Sequence, residues 1–138
     1  MILPAAFISA FLFFALAGIH FYWAAGGEWG GDVAVPSTKS GTKLLAPSAL
    51  ACVMVGIGLS IFGLIELGRV GLLYHSDFSQ FFVYVNYFIA AIFFLRAMGD
   101  FNYVGFFKKV KGTPFAKNDT AFYSPLCLFI SITSLYIG

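Results

Sequence analysis

Four apolar stretches, Ile2 to Ala25, Leu44 to Ile65, Phe81 to Leu95 and Ala121 to Ile137, fill most of the 138 residues, and each is almost free of charge. A helix rises about 1.5 Å per residue, so about 20 apolar residues cross the roughly 30 Å hydrocarbon layer of a bilayer. The first two stretches have that length unaided. The third and fourth reach it with Ser79 and Gln80, or Ser124 and Gly138, at the interface. A soluble all-helical protein would need polar outer faces on its helices, and these stretches have none. The expected fold is therefore an all-α integral membrane four-helix bundle of two helical hairpins. It forms one domain, with helices near 2–25, 44–66, 79–98 and 121–137 and loops at 26–43 and 99–120.

Composition agrees. The chain is 60% hydrophobic and 10% charged with a mean hydropathy of +0.90, whereas soluble domains carry about 25% charged residues. A net charge of +2 is too small to imply nucleic acid. The basic residues lie in an aromatic-rich loop that suits lipid headgroups better. No basic segment precedes Ile2, so a cleaved signal peptide is not expected, and no lipidation motif stands at either end. Cys52 and Cys127 lie within apolar stretches, lack CxxC spacing and have no histidine at ligand distance. They read as small hydrophobes, and neither a metal nor a cofactor is implied.

The loops orient the bundle. Lys39 and Lys43 in the first, and Arg96, Lys108, Lys109, Lys111 and Lys117 in the third, share one side; Arg69 alone marks the other. Basic loops stay cytoplasmic, so both termini are expected on the outer side of the inner (plasma) membrane. The two halves form a loose repeat, each a long helix, a polar loop and a helix opening on proline, at Pro47 and Pro125. Small residues at Ser48, Cys52, Gly56 and Ser60 make a stripe along the second helix that suits close packing on a partner helix within the bundle, or less readily a dimer.

Several polar residues need an explanation. His20 lies about a turn below the interfacial Tyr22 and Trp23. It is either a neutral histidine tied to a backbone carbonyl or hydroxyl, or an acid/base or ligand contact. Glu28, in a glycine-rich loop, either folds back toward His20 or is solvated. Arg96 and Asp100, four apart, share a helix face if the helix runs that far, and Gly99 can end it first. Lys108, Lys109 and Lys111 among Tyr103, Phe106, Phe107 and Phe115 suit anionic lipid, at about 1 kcal/mol per basic residue. Asp119 or Thr120 is expected to cap the fourth helix. Tyr123 and Ser124 share the membrane level of His20. Glu66 and Arg69 are expected to pair in the outer loop, and Asn86 to bond a neighbouring helix. His75 and Asp77 receive no role.

The runs His20-Phe21-Tyr22-Trp23-Ala24 with Gly26-Gly27, Arg96-Ala97-Met98-Gly99-Asp100, Tyr103-Val104-Gly105-Phe106-Phe107-Lys108, and Asp119 with Tyr123-Ser124-Pro125-Leu126-Cys127 together resemble a bacterial family of small four-helix membrane proteins, domain of unknown function 3995. The resemblance spans nearly the whole chain. It implies membrane location and four helices, and brings neither substrate nor catalytic residue.

These distinctive residues all map to the cytoplasmic half, which leads us to expect a cytoplasm-facing pocket for a hydrophobic small molecule or lipid. In it His20 would be the acid/base, Asp100 or Glu28 its orienter, and Arg96 the anchor for a polar head. Tyr22, Trp23, Tyr103, Asp119, Tyr123 and Ser124 would line it. The chain has no P-loop, HExxH or GxSxG motif, so any reaction would be acid/base isomerisation or cyclisation. Two alternatives stand beside it: an oligomeric transporter subunit, disfavoured by the lack of mid-span charge, and a non-catalytic adaptor working through the basic loop. The expected state is a monomer or small homo-oligomer.

Overall fold

The computed structural model describes residues 2–30, 34, 35, 40, 48–71, 79–99 and 104–138. Its helices are α1 (Ile2–Ala24), α2 (Ala49–Arg69), α3 (Ser79–Met98), a short α4 (Pro114–Asn118) and α5 (Ser124–Ile137). A π-helical turn, Asp119–Tyr123, joins α4 to α5. Four segments, Ile2–Ala24, Ala49–Arg69, Gln80–Met98 and Pro114–Ile137, are long and apolar enough to cross a membrane. Among the described residues there is no strand, so the all-helical, four-span fold read from the sequence is the one that forms.

α1 packs along α2 and α3 along α5, and these two hairpins close into a bundle through narrower α1–α5 and α2–α3 seams. The α1–α2 register is antiparallel and set by size. A Cβ on Gly56 would come within 2.7 Å of the Phe21 ring, and one on Gly63 within 3.0 Å of the Phe14 ring. Lipid offers little hydrophobic drive for helix pairing, so such ring-on-glycine packing supplies the contact. The small-residue stripe thus faces a helix of the same bundle, over part of its length. Cys52 and Gly56 are buried, but the buried line then steps to Leu59, Gly63 and Glu66. Spacings of four and three keep one face in register where a strict spacing of four drifts away. Ser60 turns back onto its own helix, donating to Gly56 O at 2.9 Å. Ser48 is exposed and caps α2 by accepting the Ala51 N–H at 3.2 Å.

Midway along the bundle sits an apolar layer to which every spanning helix contributes: Phe13, Leu59 with Phe62, Ile89 with Phe93, and Ile130. The rings of Phe13, Phe62 and Phe93 meet edge to face at 5.5 to 6.5 Å, the separation aromatic pairs prefer. Around it the outer surface is apolar, with Phe7, Phe11, Met54, Ile61, Phe88, Leu95 and Ile132 all exposed. This inversion of soluble design fits a hydrocarbon solvent. Ile2, Arg69 and Gly138 lie toward one end of the bundle, the terminal end; the other, the loop end, carries residues 25–30 and 104–118.

Two helix boundaries differ from the sequence reading, and both move a charged residue inward. α2 continues through Arg69, so Glu66, expected where the helix ends and the outer loop begins, stands inside a spanning helix. The last spanning segment begins at Pro114, capped by Thr113 Oγ1, which accepts the Ala116 N–H at 3.0 Å. Neither Asp119 nor Thr120 opens it. Pro125 stands, as expected, in the first turn of α5, which itself lies within the longer spanning segment. Proline lacks an N–H and crowds the preceding turn. The chain relaxes into a wider turn there, in which the Ser124 N–H reaches back five residues to Asp119 O.

Candidate functional site

The loop end is organised by one carboxylate. Asp119 is fully buried, and both its oxygens are filled. Oδ1 accepts from Arg96 Nη2 at 3.2 Å and Ser124 Oγ at 3.1 Å. Oδ2 accepts from the Gly105 N–H at 2.7 Å and Lys108 Nζ at 3.1 Å. Lys108 is itself enclosed, at 3% exposure, and donates also to Gly105 O at 2.9 Å and Thr120 Oγ1 at 2.5 Å. The sequence reading put Lys108 among the lipid-attracting loop lysines. The structure corrects this: Lys109, Lys111 and Lys117 are exposed, and Lys108 is an internal partner of Asp119.

The local backbone makes that clasp possible. Gly99 and Gly105 adopt φ of +80° and +87°, where side chains are strained, and they pass so close that a Cβ on either would strike the other strand of the loop, at Val104 O or Met98 O. Phe106 N–H donates to Ala97 O at 2.8 Å and pins the loop to the end of α3. Thus Arg96, Gly99, Gly105, Lys108, Asp119 and Ser124, scattered over 29 positions of sequence, close one buried ionic clasp. It holds two cations against one carboxylate, and among the described residues Arg96 Nη1 is buried without an acceptor.

A second group forms at the end of α1. His20 Nδ1 lies 2.7 Å from Leu16 O, and its ring meets Trp23 edge to face at 5.1 Å. A carbonyl only accepts, so Nδ1 is the donor in that bond. Trp23 Nε1 donates to Trp29 O at 2.8 Å, and the Trp29 N–H donates to Tyr22 Oη at 3.4 Å. The loop is folded back over the helix end. Beneath it, an open apolar groove of about 460 Å³ runs along α1, lined by Ala15, Gly18, Ile19, Tyr22 and Trp29.

The residues expected to share one pocket therefore fall into two sets. Arg96, Asp119 and Ser124 meet in the clasp. Tyr22 and Trp23 meet at Trp29, and His20 packs on Trp23. Tyr123 packs on Phe115, ring centres 5.8 Å apart. No hydrogen bond or ring contact joins His20 to Asp119, and Glu28 is exposed in the loop rather than a partner of His20. Asp100 and Tyr103, like His75 and Asp77, lie outside the described residues.

Sequence reasoning missed a third set, at the terminal end. Glu66 is fully buried and does not rely on Arg69. Its Oε1 accepts from Ser134 Oγ at 2.6 Å and Ser9 Oγ at 3.3 Å. Arg69 instead gives Nη2 to Gly138 O at 3.4 Å. Asn86, expected to reach a neighbouring helix, donates within its own to Phe82 O at 2.9 Å. The available signal was spacing: Glu66 continues the line Cys52, Gly56, Leu59, Gly63 on the buried face of α2.

Among the described residues no cluster of histidine, cysteine and carboxylate side chains could hold a metal. Both cysteines are free. Comparison with known proteins adds one finding. No curated protein and no solved structure matches the chain. The model of a family described as "Protein of unknown function (DUF3995)" matches residues 13–134, which include the clasp, the His20 turn and Glu66, and the chain belongs to that family.

Proposed function

We propose that the protein binds an amphiphile drawn from its own membrane, such as a lipid or isoprenoid, at the loop end. The observation that carries this is the groove on α1. Its walls, Ala15, Gly18 and Ile19, are apolar and lie on a spanning helix, so a hydrocarbon chain is the occupant they suit. Its roof is Trp29, held by the hydrogen bonds to Trp23 and Tyr22. Tyr22 Oη accepts from the Trp29 N–H and keeps its own O–H to donate, which suits an oxygen-bearing head at the interface. The basic loops support a cytoplasmic position for this end and a plasma (inner) membrane for the bundle. The exposed Lys109, Lys111 and Lys117 then add attraction for an anionic head.

The proposal is of binding and not of turnover. His20 Nδ1 is committed to Leu16 O, and no second acid or base among the described residues bonds to its ring. Native mass spectrometry of the protein in mild detergent tests the reading. A Cβ on Gly18 would meet nothing within 4 Å, so Gly18→Phe fills the groove without disturbing the bundle. Retained amphiphile in the parent, lost in Gly18→Phe and kept in the lipid-face control Leu95→Phe, is the expected result. Equal retention in all three would overturn the proposal.

A further inference from the structure

Each spanning helix sends one fully buried polar side chain into a single layer toward the terminal end: Ser9 from α1, Glu66 from α2, Asn86 from α3 and Ser134 from α5. Each stands about one helical turn beyond a residue of the apolar layer, Phe13, Phe62, Ile89 and Ile130 respectively. The layer has too many acceptors. Both serine hydroxyls are spent on Glu66 Oε1. Among the described residues Glu66 Oε2 is buried with no donor, and so is Asn86 Oδ1, because the Asn86 amide nitrogen is turned to Phe82 O. Asn86 and Ser134 pack on one turn of α5: the Gly138 N–H bonds Ser134 O at 2.9 Å, and a Cβ on Gly138 would lie 3.3 Å from Asn86 Cβ.

Two acceptors cannot satisfy one another, and a carboxylate sealed from water without a cation is expensive. One proton between them resolves both. We propose that Glu66 is an exchangeable proton site in the bundle interior. Oε2 takes a proton from water at the terminal end, an O–H bond forms, and this O–H is presented to Asn86 Oδ1 while Oε1 remains the carbonyl that the two serines address. On release the proton returns to water, and the carboxylate turns to Arg69, three residues on along the same helix face, whose Nε is buried and unpartnered.

Among the described residues, the groups that face the site are few. They are Arg69 on its own helix, Ser9 on α1, Asn86 and Tyr87 on α3, and Ser134 on α5; the spanning parts of α1, α3 and α5 bring no other charged residue to this end. Ionisable residues inside a membrane bundle mark functional sites, proton relays among them, and Glu66 is held there by hydroxyls from two other helices.

Infrared difference spectroscopy of the intact protein in lipid vesicles, stepped between mildly acidic and mildly alkaline sodium-free buffer, reads the proton directly. The expected result is a carboxylic-acid carbonyl band that appears on the acidic side, vanishes on the alkaline side and is missing in Glu66→Gln. Ser134→Ala keeps the carboxyl and removes its shortest donor, so the band should move to higher frequency, and this second variant serves if Glu66→Gln does not assemble. A band constant at every pH, a band absent at every pH as in a permanent Glu66–Arg69 pair, a titrating band that neither variant alters, or a band removed by sodium rather than by pH would each overturn the assignment.

Discussion

Two carboxylates in this small bundle are equally hidden and oppositely treated. Asp119 at the loop end has both oxygens filled, by two cations, a hydroxyl and a backbone N–H. Glu66 at the terminal end has one oxygen filled, by hydroxyls alone, and the other left open. Burial by itself is thus not informative about a carboxylate's role. A saturated one fastens the chain, since every lone pair is already committed. An unsaturated one has capacity for a ligand, and in the core of a membrane bundle the smallest ligand is a proton.

The contrast is easiest to break at the clasp. Asp119→Ala strands the enclosed ammonium of Lys108 and removes the acceptor of Arg96 Nη2. Breaking one side of a buried ion pair costs about 3–5 kcal/mol, so reversible unfolding in mixed micelles should show the largest loss here. An unchanged midpoint would mean the clasp is not structural. Gly105→Ala comes next. Its positive φ and the close Met98 carbonyl leave no room for a side chain, and a loss of about 2 kcal/mol or more is expected. Hydrogen exchange should show opening confined to residues 104–118. Glu66→Gln should cost least, within about 1 kcal/mol, because no cation is stranded and interhelical hydrogen bonds in membranes average about 0.6 kcal/mol. A loss as large as that of Asp119→Ala would erase the distinction between the two sites.

Much of the frame is legible in the sequence. Length and apolarity alone give the four spans, and the run of loops gives the two hairpins. The distinctive residues between Arg96 and Ser124 also stand out by eye. Their meaning does not. Read one by one, Arg96, Asp119 and Ser124 look like groups offered to a ligand, and Lys108 looks like its exposed neighbours Lys109 and Lys111. Only the fold shows that Gly99 and Gly105 bend the loop back so that these groups consume one another. Glu66 misleads in the other direction. Next to Arg69 and the end of an apolar run it resembles a loop residue, because the serines that receive it lie 57 and 68 positions away.

What the sequence determines by itself is the solvent: chains this apolar, in stretches this long, are stable only across a bilayer, and that follows from summed transfer energies that need no knowledge of neighbours. What the tertiary structure decides is the fate of each polar group, whether fastened like Asp119, folded onto its own helix like His20 or left with a free valence like Glu66. Hydrogen bonds are short and directional, so a polar residue's role depends on which partners stand within about 3 Å, and those partners come from helices that are distant in the chain.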